Sequence, residues 1–195
     1  MPPIQIYDPR TIPQSEHPFL VSAGSSDETI AEIIEFWDKS TIDHSMFSIN
    51  QGTFTWQSMT SWYGEKPMDS FLKKGGVLKF WQLVEVTPEF KIALAKYNLD
   101  RASKPWWEHL YNWLGIVGQM TGLHWISFPG LFFCSQVVIN GCKTCASPNL
   151  PQKSVDVINS EDDNMNPAAL DNFWLSNGQV YRLAYTWSSK EGITV

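Results

Sequence analysis

Residues 132–141 read Phe-Phe-Cys-Ser-Gln-Val-Val-Ile-Asn-Gly. An aromatic pair leads into a cysteine, a small polar residue follows, and a short apolar run stops at Asn-Gly. The pattern predicts a buried helix that starts at or near Cys134 and ends at Gly141. Unpaired N–H groups and the helix dipole favour a thiolate over a thiol at such a start. A thiolate there is a nucleophile when an imidazole lies beside it. The competing reading takes Cys134 as a small buried hydrophobe, the commoner fate of a lone thiol. The stretch alone does not choose between them, so the histidines decide.

Four histidines are available, and His44 is the best placed. Residues 42–49 read as a strand, Asn50-Gln51-Gly52 as a turn, and residues 53–59, with Thr-Phe-Thr-Trp-Gln alternating, as a second strand. His44 then sits on a hairpin strand against which a helix can pack. His17 falls in a proline-punctuated arm over residues 1–18, and His109 and His124 lie among aromatics. An imidazole beside Cys134 would take the thiol proton and later return one to the leaving group. A third polar group must hold its tautomer. On the neighbouring strand Gln57 reaches furthest, with Thr55 the alternative, because the turn length leaves parity open by one residue.

The remaining pattern surrounds that pair. Short apolar runs predict strands over residues 19–23, 77–86 and 179–187. Helical spacing predicts helices over 27–39, 67–74, 88–98, 106–120 and 167–173. Residues 146–166, with Pro148, Pro151 and the acidic run Glu161-Asp162-Asp163, read as a solvated loop. Trp106, Trp107 and Trp125 belong to an aromatic, glycine-rich segment just before Cys134. They read either as core or as the wall of a substrate groove.

Composition narrows the function classes. With 43% hydrophobic and 17% charged residues the chain is a folded globular protein. A net charge of −6, with no basic cluster beyond Lys73-Lys74, argues against nucleic acid as the main partner. Three cysteines, all in the last third, do not make a disulfide framework. Cys142 and Cys145 are half a zinc site at best, so no metal is expected. They read as incidental thiols after the helix, or as one local disulfide. The stretch from 113 to 133 is too interrupted for a transmembrane segment, and the proline-rich start is not a signal peptide. The expected location is the cytoplasm, or delivery with a phage particle.

Four segments in one order resemble a known family. Asp43-His44-Ser45-Met46-Phe47-Ser48-Ile49 is similar to a "Ser-His-Val-x-Ile" strand. Lys104-Pro105-Trp106-Trp107 is similar to "Lys-Pro-Tyr-Asp", Phe133-Cys134-Ser135-Gln136-Val137-Val138 to "Tyr-Cys-Ser-Glu-Leu-Val", and Asn166-Pro167-Ala168-Ala169-Leu170 to "Ser-Pro-x-Asp-Leu". Together they resemble the circularly permuted branch of the papain-like NlpC superfamily, which includes YiiX-like proteins and lecithin–retinol acyltransferase relatives. There the histidine strand precedes the cysteine helix. The usual Gly-Asp of the first strand is absent here, and the third catalytic position falls on Trp56 or Gln57 according to alignment.

The expectation is an α+β, permuted papain-like domain over residues 19–195 behind an arm at 1–18. Its antiparallel sheet has five to six strands, with the Cys134 helix packed on it. The resemblance implies a cysteine hydrolase, an amidase or endopeptidase, acting on peptidoglycan peptides or another amide. Cys134 is the nucleophile, His44 the base and Gln57 the orienter, and no cofactor is needed. The aromatic wall suggests a lipid-directed acyltransferase or thioesterase as the alternative. A third possibility is a non-catalytic binding or structural module on the same scaffold.

Overall fold

The computed structural model describes residues 2–24, 42, 44–58, 62–73, 76–105, 108, 134–163 and 165–189, with the backbone alone at 56–58, 62 and 70. The helices expected over 27–39 and 106–120 lie outside the described residues. Seven strands make one sheet in the order β1-β7-β6-β2-β3-β4-β5. They are β1 (Ile4–Gln5), β2 (Phe19–Gly24), β3 (His44–Ser48), β4 (Thr53–Ser58), β5 (Trp62–Pro67), β6 (Val77–Leu83) and β7 (Tyr181–Ser188). All neighbours are antiparallel except β1, which runs parallel to β7. The sheet is therefore mixed, with one strand more than the upper end of the expected range.

The helices are α1 (Asp69–Leu72), α2 (Pro88–Ala102), α3 (Cys134–Ala146), α4 (Gln152–Asn159) and α5 (Pro167–Ser176). Local chemistry sets several ends. The Thr87 hydroxyl accepts the Phe90 N–H at 3.1 Å, and Pro88 opens the first turn of α2. Asn166 does the same for α5, its side chain accepting the Ala169 N–H at 2.7 Å ahead of Pro167. The β3–β4 hairpin turns through Gly52 at φ +74°, a conformation that suits glycine.

Both faces of the sheet are covered, because successive strand residues point to opposite sides. On the helical face, Leu20, Phe47, Tyr63, Trp81 and Leu83 pack with Phe90 and Leu94 of α2, Val137, Val138 and Cys142 of α3, and Trp174 of α5. On the other face, Phe19, Val21, Ala23, Met46, Phe54, Leu78 and Phe80 are covered by Ile12 of the arm and by Met68 and Phe71 at α1. β2 is consequently buried at all six positions.

Three expectations are corrected. α3 does not stop at Gly141 but runs on to Ala146. A β-carbon at Gly141 would lie 2.7 Å from Phe47 Cζ and 3.0 Å from Tyr97 Cε1, so the glycine permits close approach rather than termination. Cys142 and Cys145 are therefore inside the helix, as buried thiols and not a disulfide. The segment read as a solvated loop contains α4, and its Glu161 is 3% exposed.

Candidate active site

Cys134 is the first residue of α3, 2% exposed and not in a disulfide. The next residue fixes this end of the helix. Ser135 Oγ donates to the Met165 carbonyl at 2.6 Å, tying the first turn of α3 to the entry of α5. Further along, α3 lies across β3 and β4, with Gly141 against Phe47. The helix and its packing on the histidine strand match the sequence expectation.

His44 opens β3 and pairs with Ala23 of β2, while Met46 pairs with Val21 and Phe47 with Leu20. Strand alternation places His44 with Ala23 and Met46 on the arm-covered face. Ser45 and Phe47 take the helical face, where α3 lies. Cys134 and His44 thus belong to two elements that pack on one another, α3 and β3.

The other expected residues contribute less. Gln57 pairs with Tyr63 in the β4–β5 ladder, and its side chain lies outside the described residues. Trp106, Trp107 and Trp125 also lie outside them. The alternative Thr55 is buried and pairs with Phe47. His17 is a core residue: its Nδ1 donates to the Ser48 carbonyl at 3.0 Å, and burial lowers its pKa.

What faces the helices near this end of the sheet is a polar row that sequence reasoning missed. Ser45 pairs with Ser22, and Ser22 with Lys79 of β6. Lys79 Nζ lies 2.6 Å from Asp171 Oδ2 of α5, and Trp81 Nε1 donates to Asp171 Oδ1 at 3.0 Å. Both serine hydroxyls are buried and, among the described residues, without a hydrogen-bond partner. The available signal was a lone lysine in a strand and a lone aspartate in the apolar run Ala-Ala-Leu-Asp-Asn-Phe-Trp-Leu.

The three thiols are not equivalent. Burial pushes the Cys142 thiol well above the ordinary range, helped by the nearby Glu161 and Cys145, and pushes Cys145 up to about 11. Neither is a nucleophile at neutral pH. Among the described residues no cluster of three metal-ligating side chains occurs, and no helix is long and apolar enough to cross a membrane. No protein-family model matches the chain, and no curated protein matches it either.

Proposed function

We propose that the chain is a cysteine hydrolase acting on an amide or ester acyl group, with Cys134 as its nucleophile. The observation that carries this reading is the place of Cys134 as first residue of a buried helix lying on the strand that His44 opens. The thiolate attacks the acyl carbon, and helix-start N–H groups stabilise the oxyanion that develops. The leaving amine or alcohol departs with a proton, and water then releases the acyl group from the thioester. His44 is the base, taking the thiol proton and later returning one to the leaving group.

A second reading has its own observation. The register that sets His44 on the far face is what a non-catalytic binding or structural module on this scaffold would show. One experiment separates the two. A panel of amide, peptide and acyl-ester substrates is incubated with the protein, and iodoacetamide labelling of each cysteine is mapped by mass spectrometry. The hydrolase reading expects turnover that Cys134→Ala abolishes and His44→Ala reduces by roughly 100-fold or more. It also expects Cys134 to label first. No turnover, with Cys134 labelled no faster than Cys142 or Cys145, leaves the non-catalytic module as the function.

A further inference from the structure

Glu161 opens the acidic run 161–163, yet its side chain is enclosed. Its Oε1 accepts from the Tyr181 hydroxyl at 2.6 Å and from Trp174 Nε1 at 3.3 Å. The charged and titratable groups around it are Cys142 and Lys143 of α3, Asp163 of its own segment and Tyr181 of β7. Lys143 is the cation among them. Its Nζ donates to the Glu161 main-chain carbonyl at 2.6 Å and to Asp163 Oδ1 at 2.7 Å, not to the Glu161 carboxyl. Burial pushes the Glu161 carboxyl up to about 7, against the two hydrogen bonds and Lys143, which pull it down.

The segment carrying Glu161 is tied down at three points. They are the carboxyl itself, the Lys143 contacts, and the Met165 carbonyl that accepts from Ser135. The last tie reaches the first turn of α3, one residue from Cys134.

We propose that Glu161 is a proton-operated latch: its neutral carboxyl holds residues 160–163 and Met165 against α3, α5 and β7, and its ionisation loosens their hold on the start of α3. An ionised carboxylate in this site is poorly solvated, and opening the segment hydrates it. The closed segment keeps its proton up to about pH 7, whereas a solvated glutamate loses it near 4.5. A carboxyl with a raised folded value favours the closed form fully below 4.5 and loses that preference as pH rises to about 7. Above that window the effect levels off. The latch does not depend on Cys134 being a nucleophile.

Native-state hydrogen exchange tests it. The Glu161 N–H donates to the Ile158 carbonyl at 3.2 Å and the Met165 N–H to the Asp162 carbonyl at 3.1 Å, so both amides report closure. Their protection factors, corrected for intrinsic exchange, should fall by roughly 100-fold between pH 5 and pH 8 and stay well below those of β2 amides, which open only with the whole fold. Glu161→Gln should remove the pH dependence. Tyr181→Phe deletes a donor that favours the ionised form and should move the midpoint to higher pH. Wild-type protection that ignores pH, an unchanged pH dependence in Glu161→Gln, or protection no lower than that of β2 overturns the latch. Should Glu161→Gln not fold, a Tyr181→Phe midpoint that stays put or moves down overturns it.

Discussion

A methyl group at position 141 has nowhere to go. It would meet the Phe47 ring edge at 2.7 Å and Tyr97 at 3.0 Å, with Phe47 itself fully buried. Gly141→Ala therefore improves helix propensity locally but overpacks the α3–β3 contact, and should destabilise by about 1–3 kcal/mol. Urea denaturation checks this, and Phe47→Leu in the same chain should recover part of the loss. Asn-Gly at 140–141 is a sound stop signal by composition. What it could not convey is that Phe47, 94 positions upstream, needs the space. For His44 the strand was legible, but its face depended on a pairing register that one strand alone does not reveal. Glu161 looked solvated because two further acids follow it, and its cover comes from Tyr181 and Trp174, later in the chain.

Two elements on the helical face are held by one carboxylate. Asp171 of α5 takes both Lys79 Nζ and Trp81 Nε1 of β6, so it fixes α5 over the middle of the sheet. Its side chain is 6% exposed, whereas that of Lys79 is 31% exposed and keeps partial access to water. Asp171→Ala strands a lysine and an indole N–H together. It should lower stability by roughly 2–4 kcal/mol, reduced from a fully buried pair because Lys79 can reach solvent. Asp171→Asn, which keeps an acceptor, should cost less, and thermal unfolding of the two variants checks the order. The elements themselves were largely readable where apolar residues repeat and caps are explicit, as in β2, β3, β4, β6 and α2. β5 was missed because Trp-Tyr-Gly-Glu-Lys-Pro alternates poorly and ends in proline. α4 hid in a polar stretch since its apolar side is carried by Val155 and Ile158, three apart, with Val157 half-buried beside them. β1 is two residues long and is defined only by its partner.

At the scale of the whole molecule, two buried groups pull its pH dependence in opposite directions. Burial depresses His17, so its contribution is present above the ordinary value of 6.5 and is lost as pH falls through the lower folded value. Burial raises Glu161, so its contribution is present below 4.5 and is lost as pH rises to about 7. Glutamine at 161 mimics the neutral acid. Wild type and Glu161→Gln should accordingly be close in stability at pH 5, with the variant ahead by up to roughly 3 kcal/mol at pH 8. Urea midpoints across that range read the difference, and curves that stay parallel would contradict the assignment.

The sheet also joins the two extremes of the described chain. β1 lies beside β7, and the Ile6 N–H donates to the Thr186 carbonyl at 2.9 Å. A ribosome makes β1 long before its partner strand β7. Until β7 emerges, the β1 end of the arm has no strand to pair with, and Phe19 and Phe80 lack the Tyr185 and Ala184 side chains that pack against them. Early β2–β3 pairing is local and quick, whereas closing the far edge is the longest-range step in the fold. Between the emergence of β6 and that of β7 the nascent chain therefore carries an open sheet edge, the kind of surface that exposes folding intermediates to aggregation.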